Sequence, residues 1–181
     1  MSASHNKLGG VFGAVLGLIG MSAIAGVLVS AMVAPALAVT GLAANDSTSE
    51  ASLAVAVALF ESVGRVATID EDRIDALAAV SGSGPAHVFL LIEQYLDATK
   101  RLGFDDDLAR QLVVGTFEGA VGMVVRDPET EPSELRRRVT SPKGTTERSV
   151  AVLQDADLAG LFERAFDANQ RRSAELAAEN S

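Results

Sequence analysis

The chain has 181 residues, a length for one ordinary domain or a small domain with an appendage, and two full domains of an enzyme do not fit. It is 48% hydrophobic and 22% charged with only 4% aromatic residues, which excludes disordered and collagen-like classes, and it has no cysteine, which excludes disulfides, thiolate metal sites and cysteine nucleophiles. The net charge is −9, and because residues 1–45 hold a single charged side chain, Lys7, the remainder carries 14 basic and 24 acidic residues, a balance that disfavours nucleic acid as a partner.

Val11–Ala34 is uncharged and apolar, and as a helix its 24 residues would span about 36 Å, enough to cross a bilayer. Gly13 and Gly17 form a small-xxx-small pair of the kind transmembrane helices use for contact. Three readings stand open: a membrane anchor through residues 11–34, a cleaved signal ending in the A-x-A pattern of Ala36–Ala38, and a buried soluble helix. As an anchor, Lys7 favours an N-terminus left in the cytoplasm and an acidic body outside. Residues 1–20 with the run on to AVTG also resemble the anchor of actinobacterial penicillin-binding proteins, although no S-x-x-K follows anywhere in the chain.

From Asn45 onward the pattern is that of a helical soluble protein. Ser47–Glu50 offers N-cap residues for a helix with Leu53, Val57, Phe60 and Val63 on one face, and Gly64 suits its C-cap. The β-branched stretch Arg65–Ile69 predicts a strand, and Asp70–Asp72 predicts the start of a helix carrying Ile74, Leu77 and Val80. Ser81–Pro85 breaks that run, with Pro85 placed to begin the next helix, over 85–101. Gly103 closes it, and the acidic triplet Asp105–Asp107 begins the next helix, whose apolar stretch is 108–125. Both are apolar around most of their circumference, and Gly115, Gly119 and Gly122 on the second suit close approach of another helix. One chain of this size has too little surface to bury them, so the pattern predicts a homodimer through residues 85–125.

Asp127–Pro132 reads as a loop, Ser133 as the cap of a short helix through Arg138, and Val139–Thr146 as a second turn before another helix. The last helix is expected over 156–178, with a fraying tail. Two turns could hold an anion at a helix start, SGSGPAH at 81–87 and TSPKGTT at 140–146; each reads equally as an ordinary capped turn. Neither has the order of a Walker loop, and Gly82-x-Gly84 lacks the third glycine of a dinucleotide fingerprint. His5 and His87 are too distant for a metal pair and read as solvated or packing residues; no metal is expected. Arg136–Arg138 could steer an anion, but Glu131 and Glu134 make it read as a solvated mixed-charge helix.

Residues 71–176 resemble the C-terminal dimerisation domain of pyrroline-5-carboxylate reductase. The resemblance is carried by Asp75-Ala76, SGSGPA at 81–86, Gly103-Phe104, Gly119-Ala120 with Met123, Pro132–Leu135 and VTSPKGTT at 139–146, and it extends back to about residue 40 through Gly41–Asn45 and the strand Arg65–Ile69. It implies a mostly α fold, a helical dimerisation domain of the 6-phosphogluconate-dehydrogenase C-terminal-like type, here preceded by a hydrophobic transmembrane-like helix and missing the Rossmann domain.

The implied domains are an anchor or signal-like segment over 1–39, a strand-helix-strand remnant of the cofactor domain over 40–69, and the helical dimerisation and substrate domain over 70–181. The remnant strands, around Leu42 and Arg65–Ile69, are expected to have unpaired edges. The family's reaction is reduction of 1-pyrroline-5-carboxylate to L-proline by NADPH or NADH, in the cytoplasm, which conflicts with a membrane segment.

By motif, Ser141, Thr145 and Thr146 are implied to hold the substrate carboxylate, Glu129 to lie near the substrate, and Glu71 to be an acidic position near the site. His87 stands where an aromatic is common, and Lys143 replaces a glycine of SPGGTT. No catalytic or cofactor-binding residue is expected in this chain. It then reads as a truncated or fused reductase, inactive alone; the alternatives are a membrane-tethered dimerisation module without catalysis, or an artefactual gene fusion joined near Val39–Ala44.

Overall fold

The computed structural model describes residues 24–29 and 38–179. They fall into two compact units, one of residues up to Pro85 together with those from Phe166 onward, the other Ala86–Ala165. Lys7, His5, Gly13, Gly17 and Ala36 lie outside the described residues. Of the apolar run 11–34 only Ile24–Val29 is described, and it forms strand β1 rather than part of a helix. Its β-branched residues suit an extended chain, and its backbone is paired along a neighbouring strand, which supplies hydrogen bonds a sequence window cannot register.

In the first unit, β1 runs antiparallel to β2 (Ala38–Ala44), from Ile24 opposite Ala44 to Val29 opposite Thr40 with an irregularity at Ile24/Gly26. Strand β2 is parallel to β3 (Gly64–Ile69), from Ala38 opposite Gly64 to Ala43 opposite Ile69, and the sheet order is β1-β2-β3. The expectation of an unpaired edge at Leu42 is therefore corrected: β2 is the central strand, because β1 takes its other side. Helix α1 (Glu50–Glu61) makes the crossover, which parallel strands require.

The core of this unit is Leu42, Ala56 and Phe60, with Val57 and Val66 against it. Strand β2 is buried on both faces, which explains its small apolar sequence: a Cβ on Gly41 would overlap the Leu77 side chain. Ser49 is the N-cap of α1, its Oγ accepting the Ser52 N–H at 3.1 Å. Gly64, expected as the C-cap, instead opens β3, since pairing with Ala38 holds it in the sheet.

Glu71–Arg73 forms a 3₁₀ turn that leads into α2 (Ile74–Leu77) and then a π turn over Ala78–Gly82, closed by the Ser83 N–H donating to the Ala78 carbonyl at 3.0 Å. The break expected at Ser81–Pro85 is thus a widening of the helix followed by a new start at α3 (Gly84–Arg101). The last part of α7 (Leu158–Glu179) belongs to this unit. Asn169 Nδ2 donates to Ser83 Oγ at 2.7 Å, and Ser173 Oγ donates to Asp75 Oδ1 at 2.8 Å. Two polar residues of the 75–85 stretch therefore tether the C-terminal helix, and this use of Ser83 competes with its use for a ligand.

The second unit holds α3 from Ala86, α4 (Asp106–Arg126), α5 (Pro132–Arg138), α6 (Thr145–Asp155) and the start of α7. Helix α4 begins at Asp106, in the acidic triplet expected to start it: Asp105 caps it, accepting the Leu108 N–H at 2.9 Å, and Asp106 and Asp107 favour the positive end of the dipole. Gly103, at φ 98°, ends the preceding chain in a left-handed conformation natural to glycine. Ala109 and Val113 are buried, and Tyr95 meets Phe117 edge to face with ring centroids 5.9 Å apart.

Much of the apolar surface of α3 and α4 stays open in one chain: Phe89 is 68% and Val121 59% exposed, with Leu90, Leu91, Val124 and Val125 also exposed. At Gly115, Gly119 and Gly122 a Cβ would meet nothing within 4 Å, so the close approach these glycines suggested is not made among the described residues.

Candidate carboxylate-binding turn

Helix α5 starts with Pro132 in its first position and Glu131, not the expected Ser133, as the residue before it. The fixed φ of proline and its missing N–H suit that first position. The helix ends by folding back on itself: Thr140 Oγ1 donates to the Arg136 carbonyl at 2.7 Å, and the Thr140 N–H to the Arg137 carbonyl at 3.1 Å. Ser141–Gly144 is a tight turn closed by the Gly144 N–H donating to the Ser141 carbonyl at 2.9 Å.

Pro142 takes the second position of this turn and Lys143 the third, at φ 61°. A proline followed by a left-handed residue is the pattern of a type II turn, which favours glycine at the third position. Lysine is tolerated there at a cost of about 1 kcal/mol in backbone strain. Replacement Lys143→Gly is expected to raise the unfolding free energy by about 0.5 kcal/mol, part of the relieved strain being offset by the greater freedom of glycine in the unfolded chain. A lower urea midpoint for the variant would contradict this account. Gly144 is obligatory for a different reason, since a Cβ there would sit 2.9 Å from the Ser141 carbonyl oxygen.

Helix α6 follows with Thr145, Thr146 and Glu147 in its first turn and no side chain capping it from Gly144. The N–H groups of a first helical turn have no partner within the helix. Ser141, Thr145 and Thr146 are exposed, and their hydroxyls make no hydrogen bond among the described residues. Three hydroxyls and a helix start within six residues make a seat suited to a small carboxylate. One carboxylate already lies there: the Lys143 N–H donates to Glu147 Oε2 at 2.8 Å. Sequence reasoning did not single out Glu147; the signal was its place three residues after the cap position, where glutamate reaches back in a capping box.

The adjacent arginines divide. Arg137 forms a two-pronged pair with Glu134, Nε to Oε2 at 2.6 Å and Nη2 to Oε1 at 2.8 Å, and Arg138 Nε adds a bond to Oε1 at 3.1 Å. Hydrogen bonds from Arg137 and then Arg138 hold the Glu134 carboxyl at about 2, well below the usual carboxylate range. Arg138 also faces Asp127 at 3.5 Å. Arg136 has no ion pair among the described residues. It lines, with Ser133, Arg137, Thr140, Pro142 and Glu147, an open hollow of about 560 Å³.

Of the other expected site residues, Glu129 is exposed in the turn closed by the Thr130 N–H donating to the Asp127 carbonyl at 3.2 Å, and no hydrogen bond or ion pair among the described residues joins it to Ser141–Thr146. Glu71 is exposed at the start of the 3₁₀ turn in the other unit. His87 packs as an aromatic would, edge on to Phe162 with ring centroids 6.3 Å apart, in an apolar hollow shared with Leu90, Leu91, Leu158 and Leu161.

A dinucleotide needs a glycine-rich turn between strand and helix. The turn between β2 and α1 is Asn45–Ser49, without glycine, and it closes on itself: Asn45 Oδ1 accepts from the Ser47 N–H at 3.1 Å, Ser47 Oγ at 2.7 Å and Thr48 Oγ1 at 2.9 Å. It does not fit a pyrophosphate.

A family model described as pyrroline-5-carboxylate reductase dimerisation matches residues 71–176. The pyrroline-5-carboxylate reductase of Pseudomonas aeruginosa is 45% identical over 139 residues, 76% of this chain and 50% of that protein. Among solved structures, a pyrroline-5-carboxylate reductase from Coxiella burnetii superposes with a TM-score of 0.73 at 36% identity, covering 78% of this chain and 55% of that one. The Plasmodium falciparum pyrroline carboxylate reductase, solved with NADP bound, gives 0.68 at 26% identity over 77% of this chain and 58% of its own. The chain spans about half the length of the curated relatives it matches.

Proposed function

The chain belongs to the pyrroline-5-carboxylate reductase family, and from that premise we propose that it supplies the substrate-holding, dimer-forming half of a reductase that converts 1-pyrroline-5-carboxylate to L-proline. The reaction adds a hydride from NADPH or NADH to the imine carbon and a proton to its nitrogen. The role assigned to this chain is to seat the substrate and to pair with a second copy. The observation that carries the reading is the family match over 71–176, which contains Ser141, Thr145 and Thr146 on one turn with unengaged hydroxyls.

A helix start and three hydroxyls direct only hydrogen-bond donors at the substrate carboxylate, which fixes the ring by its charged end. Glu129 is assigned a position nearer the ring. Two copies are proposed to interleave α3 and α4 through residues 85–125, filling the space open at Gly115, Gly119 and Gly122. Lipid is a poorer occupant of these faces, since Arg110 and Glu118 lie exposed on α4.

The test is titration of the full chain with L-proline, followed by the amide resonances of residues 141–147. A saturable shift in the millimolar range is expected, weakened about tenfold by Thr146→Ala, the loss of one hydrogen bond to a charged group. Identical titrations for the two proteins would remove the carboxylate seat from Ser141–Thr146.

A further inference from the structure

We infer that Glu147 is an internal competitor for the carboxylate seat, displaced toward Arg136 when a substrate carboxylate enters. The inference rests on the reading of Ser141–Thr146 as that seat and adds how its affinity is set. The Glu147 carboxylate accepts the Lys143 N–H at 2.8 Å from the third position of α6, so it lies at the end of the helix where the first-turn N–H groups are free. A second carboxylate brought to Ser141, Thr145 and Thr146 meets this charge and loses a donor to it. Nothing packs Glu147 in place, because the side chain is exposed.

The same hollow offers it an alternative. Arg137 and Arg138 are both engaged with Glu134, whereas Arg136 has no ion pair among the described residues and lines the hollow together with Glu147. Glu147 thus has two partners, the Lys143 amide with the seat closed and the Arg136 guanidinium with the seat open. The affinity observed for an outside carboxylate is the intrinsic affinity multiplied by the open fraction. Removing the Glu147 charge must tighten binding, and removing Arg136 must weaken it although no contact between Arg136 and substrate is invoked. Charge alone gives the same two signs, so displacement is read at the Lys143 amide, whose resonance moves during titration of the unmodified protein toward its position in Glu147→Gln only when the Glu147 carboxylate leaves it.

The experiment is the L-proline titration of the full chain with Glu147→Gln, Arg136→Ala and Thr146→Ala. For a seat open about one fifth of the time, Glu147→Gln is expected to tighten binding about fivefold, and Arg136→Ala to weaken it about twofold to threefold. In the unliganded protein the Lys143 amide resonance is expected to move in Glu147→Gln. Unchanged or weaker binding in Glu147→Gln, with Thr146→Ala still reducing affinity, overturns the competition and leaves the seat standing. No saturable shift in any of the four proteins, or none that Thr146→Ala alters, removes the seat and the competition with it.

Discussion

With two copies paired through residues 85–125 as proposed, Phe89→Asp is expected to leave the protein monomeric at micromolar concentration. Phe89 is 68% exposed in a single chain, on α3 beside the exposed Val88, Leu90 and Leu91. Burying one such side chain contributes about 1.5–3 kcal/mol, and a two-fold interface buries it twice. The variant loses both contributions and must bury two carboxylates, each costing several kcal/mol more if unpaired. The association constant should fall by at least about four orders of magnitude, since each 1.4 kcal/mol is a factor of ten. Light scattering on the size-exclusion peak reads the result directly, and a variant that keeps the mass of a dimer would place the interface elsewhere.

The 181-residue polypeptide is expected to show no reduction of pyrroline-5-carboxylate by NADPH. Hydride transfer requires the nicotinamide within reach of the imine carbon, and such positioning is responsible for about 7–11 kcal/mol of barrier lowering, roughly five to eight orders of magnitude in rate. The sequence contains no G-x-G-x-x-G turn, and the turn between β2 and α1 is closed by Asn45. A second copy has the same sequence and so brings no G-x-G-x-x-G turn either. Substrate-dependent oxidation of NADPH above a Thr146→Ala control, or saturable enhancement of NADPH fluorescence, would refute this expectation.

The helices that build the second unit were legible from residues a few positions apart. The limits of α3 and α4 lie within two residues of those expected, because Asp105 and Gly103 act on their own neighbours. The turn at Ser141–Gly144 was legible for the same reason, its hydrogen bond spanning three residues. Glu147 was not, although equally local, because a glutamate in a first helical turn reads as a favourable charge until its oxygen is seen on the Lys143 amide. Among the expected site residues, Ser141, Thr145 and Thr146 come together as a matter of chain continuity; Glu129 and Glu71 belong to other turns, and motif spacing says nothing about the distance across a fold.

By itself the sequence determined what depends on short-range geometry: the apolar circumference of α3 and α4 and the proline-led turn into α6. Tertiary structure alone decided the rest. Ile24–Val29 is a strand because β2 offers it a ladder, and Gly64 is a strand residue because Ala38 pairs with it, although each could end or extend a helix by composition. Ser83, read in a turn that could hold an anion, and Asp75, read as part of the family motif, are held by Asn169 and Ser173 from 86 and 98 residues away. A hydrogen bond closed over that distance depends on where the whole chain has gone, and no periodicity in a window of residues carries that information.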